Sequence, residues 1–173
     1  FTKRSLSVGI NAYNIQYKTK YNYLVPCNLY GEYDHFDDPE KCHFITALIR
    51  KIIDSENAGR DTITLFGTGA PLRQFMHASD LARTIKLVIE RDITESFNVA
   101  TPEENTIKDM ATITLDALNK KLGVIFDTDK PDGQIRKTVS SDKMESILGD
   151  FEFTKLKDGV LKVYNKVIEK YGK

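Results

Sequence analysis

The residues able to do chemistry fall in two stretches. The first is "PEKCHFITALIRK", residues 39 to 51, where His43 precedes apolar residues at helical spacing. Imidazole exchanges protons near neutral pH, so a histidine here suits a general base or acid. Counting about 100° per residue puts His43, Ala47 and Arg50 on one helix face, away from Ile45, Leu48 and Ile49. The competing reading is a solvated surface histidine, and the residues alone favour it. Cys42 adjoins His43, but helix neighbours point about 100° apart, which argues against a thiol–imidazole pair. The second stretch is "LFGTGAPLRQFMHASD", residues 65 to 80, with Gly67 and Gly69 directly after a β-rich run. A loop that cradles a dinucleotide's phosphates needs Gly-x-Gly-x-x-Gly running straight into a helix. Here Leu72 takes the third place, Pro71 intervenes, and the next residues read as strand, so "GTGAPL" is expected to be a turn. His77 ends that strand just before a helix, a structural position. Cys27 and Cys42 make no disulfide framework, and no histidine–cysteine spacing makes a zinc site.

Alternating elements must position these residues. The 173 residues fit one domain of ordinary size. Lysine plus arginine equals aspartate plus glutamate at 25 each, so net charge gives no reason to expect nucleic acid or an anionic membrane as partner. No apolar run approaches the roughly 20 residues that span a bilayer. A reduced, cytoplasmic setting is the default. Helical period marks residues 3 to 19, with Leu6, Ile10, Tyr13 and Tyr17 on one side. Asp38 before Pro39 predicts a helix start, and the helix from Pro39 carries a core stripe of Ile45, Leu48, Ile49 and Ile52. Strands are expected at "YNYLVPCN", "TITLFG", "RQFMH", "SFNVAT" and "GVIFDT". Helices are expected at "LARTIKLVIERD", capped by Ser79 or Asp80, at "TIKDMATITLDALNK" and at "KLKDGVLKVYNKVIEKY". Strands alternating with helices mean α/β, with much of any sheet parallel.

Together, "PCNLYG", "CHFITALIRK", "LFGTGAPLRQFMHASDLA", "FNVAT" and "KPDGQIRK" resemble, in order and spacing, the C-terminal two thirds of extended short-chain dehydrogenases. These are the NAD-dependent epimerase/dehydratase family acting on nucleotide sugars. The "KPDG…RK" tail is similar to the branch that epimerises and reduces GDP-4-keto-6-deoxy sugars. The resemblance implies the C-terminal part of an extended Rossmann-type reductase: the end of a doubly wound sheet plus a smaller α/β substrate domain. Residues 1–30 would end the NADP-binding domain, with the catalytic helix and the following strand. Residues 31–173 would be mainly the substrate domain, with some segments returning to the sheet.

The same resemblance implies NADP(H) as cofactor, held mainly by residues outside this chain, and a GDP-sugar as substrate. Lys3 falls on the lysine of the family's Tyr-x-x-x-Lys pair, with the tyrosine two positions before Phe1. The chain alone is therefore expected to be inactive. Without the resemblance Lys3 would read as an exposed terminal lysine. His43 would be the acid/base that moves a proton beside the ketone. Asn28 and Leu29 would touch the nicotinamide end, and Asn28 the substrate too. Cys27 stands where threonine is usual and Glu32 where proline is common. The four acids from Glu32 to Asp38 would repel a diphosphate unless they face water. Arg73 would hold the diphosphate, with Arg50 or Lys51 as a further cation and Lys130 in a lid. Phe66 would stack on the base, although alternation along "TITLF" could equally bury it. A homodimer is implied through helices including that of Lys3. Other nucleotide-sugar epimerases, reductases or dehydratases, and a non-catalytic nucleotide-sugar-binding domain, are the alternatives.

Overall fold

The computed structural model describes residues 1–38 and 41–172. Helix α1, Thr2–Tyr17, stops at Lys18, whose backbone is left-handed at φ 55°. It buries no side chain: Leu6, Val8 and Ile15 all face solvent. Two short strands follow, β1 (Leu24–Pro26) and β2 (Asn28–Tyr30). Then come α2 (Phe44–Asn57), β3 (Thr62–Phe66), β4 (Leu72–Arg73), β5 (Phe75–His77), α3 (Ala78–Glu90) and β6 (Phe97–Val99). The rest is β7 (Asn105–Thr106), α4 (Ile107–Ala117), β8 (Gly123–Asp127), β9 (Arg136–Lys137), α5 (Asp142–Leu148) and α6 (Leu156–Tyr171). Strands pair in parallel as β1 with β6, β2 with β5 and β3 with β8. Strand β4 lies between β7, antiparallel, and β9, parallel. The α/β reading with mostly parallel pairing holds.

The core forms where the helical stripes meet. On α2, Ile45, Leu48, Ile49, Ile52 and Ile53 recur at three- and four-residue spacing and are all buried. They join Leu156, Val160, Val163 and Val167 of α6, Met110 and Leu115 of α4, and Ile63 and Leu65 of β3. Each such side chain contributes about 1.5–3 kcal/mol by leaving water. A second cluster, around Met76, Val88, Phe97, Val99, Met144 and Leu148, seats α3 and α5 against β5 and β6.

Three local expectations need correction. Helix α2 starts at Phe44, not Pro39, and His43 is its N-cap in extended conformation, φ −67° and ψ 158°. Pro39 itself lies outside the described residues. The Cys42 thiol sits 2.8 Å from the His35 carbonyl and 2.9 Å from that of Asp38, so this segment spends its hydrogen bonds on a turn. Helix α3 starts before its expected Ser79 or Asp80 cap: His77 is the N-cap, and its Nδ1 accepts the Ser79 N–H at 3.3 Å. Asp80 is instead buried, accepting from Thr154 N and Oγ1 at 2.9 and 2.8 Å and from Arg83 Nη2 at 2.8 Å, which ties α3 to the start of α6. The "RQFMH" strand breaks at Gln74, so that β4 joins one sheet and β5 another.

The "GTGAPL" turn is a turn, and its glycines have steric reasons. Gly67 and Gly69 both sit at φ 79°, where side chains are strained. A Cβ on Gly69 would lie 2.5 Å from the Phe126 ring. Between them, the Thr68 N–H and hydroxyl donate to Asp132 at 2.6 and 2.7 Å.

Candidate active site

A cleft of about 1090 Å3 runs along β1 and β2 and past their carboxyl ends. Crevices at such strand ends are where α/β folds bind ligands. Lys3, Asn28, Leu29, His43 and Arg73, named from sequence, all line it. Each comes from a different place: Lys3 from the first turn of α1, Asn28 and Leu29 from β2, His43 from the cap of α2, and Arg73 from β4. The His43 ring is exposed at the cleft because its residue stands outside the helix and its side chain is not used to cap it.

Buried hydrogen bonds hold these walls together. Asn28 donates to the Gln74 carbonyl at 2.9 Å. The buried Gln74 amide in turn donates to Thr101 O at 2.9 Å and Val139 O at 3.1 Å, and its oxygen accepts from Val139 N at 2.8 Å. One glutamine thus fixes the segment after β9 beside β5. The Phe44 and Phe75 rings, 5.9 Å apart, give the cleft an apolar wall.

Sequence reasoning missed Lys137. In the parallel β4–β9 pair Arg73 stands opposite Lys137, and both line the cleft. Directly opposed residues share a sheet face, so two cations lie side by side. Among the described residues neither forms an ion pair with a carboxylate. The only signal was the "RK" of "KPDGQIRK", and the strand register that makes it useful is a tertiary fact.

The other named residues do not line this cleft. Arg50 bonds Asp54 at 2.9 Å and the Phe36 carbonyl at 2.9 Å, and its guanidinium stacks 4.0 Å from the centre of the Tyr171 ring. Lys51 donates to Thr64 O at 2.7 Å and lies 4.8 Å from the centre of the Phe66 ring. Lys130 lies 5.9 Å from the same ring. Phe66 is exposed, on the outward side of β3. These three make a cation–aromatic group apart from the cleft.

Charge around the cleft is divided. Glu32 and Asp34 line one part of it. Both Asp34 oxygens are used, by Thr46 Oγ1 and by His35 N. Glu32 Oε2 lies 3.1 Å from Nε2 of His77, whose side chain is only 3% exposed. The contact is off the line of a straight hydrogen bond. The Thr68 bonds, and secondarily the Arg73 charge, hold the Asp132 carboxyl below its ordinary range. Burial pushes the Cys27 thiol up, so it lines the cleft as a neutral thiol. Among the described residues no group of three or more His, Cys, Asp or Glu could hold a metal ion, and no helix is long and apolar enough to cross a membrane.

The arrangement can transfer a proton through an imidazole and hold an anion on paired cations. The sequence profile of the NAD dependent epimerase/dehydratase family matches residues 1–100. The chain belongs to that family. The match takes in Lys3, Asn28, His43 and Arg73. Within the family it is 33% identical over 174 residues to the GDP-L-fucose synthase of Dictyostelium discoideum, covering 99% of this chain and 54% of that protein. It is 34% identical over 155 residues to GDP-L-fucose synthase 1 of Arabidopsis thaliana, covering 89% and 47%. A GDP-L-fucose synthetase from Naegleria fowleri, solved bound to NADP, superposes with a TM-score of 0.84 at 27% identity, over 96% of this chain and 53% of that one. The chain thus spans about half the length of the curated relatives it matches. Its fold is the corresponding part of a Rossmann-type reductase of this family.

Proposed function

We propose that the chain supplies the nucleotide-sugar side of the active site in an NADP(H)-dependent GDP-4-keto-6-deoxy-sugar epimerase/reductase. The observation that carries this reading is that Lys3, Asn28, His43 and Arg73, distant in sequence, border one cleft. The names of the two curated relatives above, both GDP-L-fucose synthases, support the substrate class. In this reading Arg73 and Lys137 fork onto the diphosphate oxygens and so fix the sugar relative to His43. His43 takes the proton from the carbon beside the ketone, which the carbonyl has made acidic. Phe44 and Phe75 keep water from that carbon.

The residues present fit the nicotinamide end of the cofactor: an ammonium from Lys3, an amide from Asn28 and an apolar side chain from Leu29 border the same crevice. When bound, that group supplies the hydride that reduces the ketone. Lys3 would hold the ribose hydroxyls, and Leu29 would shield the ring. The reading also includes a homodimer through α1, supported by its exposed Leu6 and Tyr13. It divides the whole protein's chemistry between residues 1–30, on the cofactor side, and the substrate side after them. The pairing of β1 with β6 supports a return of later residues to the first part.

The test is consumption of NADPH by the whole protein with GDP-4-keto-6-deoxymannose, followed by the loss of the reduced cofactor's absorbance. Oxidation that depends on the keto sugar is expected. No oxidation with any GDP-keto-sugar would end the reductase reading.

A further inference from the structure

We propose that Glu32 is a specificity-determining acceptor for a hydroxyl of the sugar, held in place by His77. The assignment rests on the nucleotide-sugar reading above and goes beyond it to the sugar end of the cleft. Ser79 N–H donates to Nδ1 of His77, so in the neutral ring the proton sits on Nε2, the atom that faces Glu32 Oε2 at 3.1 Å. The imidazole cannot swing away. It is buried, its Nδ1 also meets Ser79 Oγ at 2.7 Å, and the Tyr30 ring packs edge-on at 5.3 Å between centroids. One Glu32 oxygen is therefore held beside the imidazole by a 3.1 Å polar contact, off the line of a straight hydrogen bond. Its Oε1 has no partner among the described residues, and the side chain is 27% exposed in the wall of the cleft.

An ionised carboxylate only accepts, so its partner must carry O–H or N–H. A diphosphate offers neither and would be repelled. Sugar hydroxyls are donors of the required kind, and a bond from a neutral hydroxyl to a carboxylate is charge-assisted. Position agrees with this. Arg73 precedes by two residues the start of the β2–β5 ladder at Asn28 and Phe75, while Glu32 follows its end at Tyr30 and His77 by two. The cation and the carboxylate thus flank the ladder from opposite ends, as the two ends of a diphosphate sugar require. Asp34, the neighbouring acid, has both oxygens occupied by Thr46 and His35 and does not compete.

The test is titration calorimetry of the whole protein with GDP and, separately, with GDP-mannose as a GDP-hexose. The wild type is expected to bind the GDP-hexose more tightly than GDP. Glu32→Gln should cut GDP-hexose affinity roughly tenfold without lowering that for GDP. His77→Gln should show the same selective loss, and the double variant no more than Glu32→Gln alone, because the histidine acts only through the carboxylate. Glu32→Pro, which removes the acceptor at the first central position of the turn closed by Asp34 N–H to Gly31 O, where proline is favoured, guards against an effect special to glutamine. Equal losses for GDP and GDP-hexose, or no loss for either in both Glu32 variants, overturn the assignment while leaving the nucleotide-sugar reading intact. Failure of the whole wild-type protein to bind GDP at all overturns that reading and this assignment with it.

Discussion

His43 occupies the one backbone place where a helix side chain can be both anchored and free. Its carbonyl already accepts the Ala47 N–H at 2.8 Å, while its ring projects into the cleft. Replacing it by glutamine keeps the cap and removes the proton carrier. In the whole protein His43→Gln should slow incorporation of solvent deuterium beside the ketone by at least about 100-fold, read by NMR of the sugar. An unchanged exchange rate would remove His43 from the chemistry. Arg73→Ala should weaken GDP-sugar binding by about 10- to 100-fold with NADPH affinity kept, measured by fluorescence quenching. Equal losses for both ligands would take Arg73 out of the diphosphate role. These two residues could be named from sequence because their neighbours in the chain are distinctive. Arg50 and Lys51 were named by the same reasoning, yet their side chains turn to Phe36, Tyr171, Thr64 and Phe66. Where a long cationic side chain goes is decided by partners distant in sequence, so position along a helix does not reveal it.

At the scale of elements, the stripe on α2 was legible because period alone defines a buried face, while α4 and α6 were expected as helices without a named buried side. Strands β7 and β9 were not legible. Each is two residues long and exists only because β4 lies between them. The start of α2 was misjudged because Asp38 and Pro39 have start-signal chemistry, whereas the Cys42 turn depends on carbonyls from the preceding loop. Gly159 shows the same limit. In mid-helix, glycine costs about 1 kcal/mol relative to alanine by propensity. Here a Cβ would collide with the Tyr30 hydroxyl oxygen, which is buried and has no hydrogen-bond partner among the described residues. Gly159→Ala should therefore destabilise, by about 1–3 kcal/mol of overpacking, in urea denaturation. Adding Tyr30→Phe should recover part of the loss. A net gain from Gly159→Ala alone would mean that α6 and β2 can part more easily than the packing implies.

For the whole molecule, the cleft loop is tied to the far end of the chain. The Tyr171 hydroxyl donates to Asp37, and Lys170 Nζ does so at 2.9 Å. The tyrosine bond foremost, then the lysine, brings the Asp37 carboxyl from its ordinary 3.8 down to about 2. The folded value is the lower one, so this tie contributes fully above the unfolded value and is lost as pH falls through about 2. A carboxyl-carbon NMR titration should place Asp37 near the lower end of that window, and Tyr171→Phe should move its midpoint upward. A midpoint that Tyr171→Phe leaves alone would mean that the two ends are not joined in solution.

Helix α1 differs from every other long helix described in having no buried residue. Its neighbours reach the rest of the fold through polar ties, such as Asn22 Nδ2 to Ile93 O at 2.7 Å and Lys20 to Asp92 at 2.7 Å. A helix of this length held by its own ladder alone is marginal in water. In residues 1–173 taken by themselves, its amides should accordingly exchange their hydrogens early, through local fraying, while those of α2 wait for global opening. The cleft therefore has one wall set by the core and one, bearing Lys3, whose order depends on what covers the exposed Leu6, Val8 and Ile15.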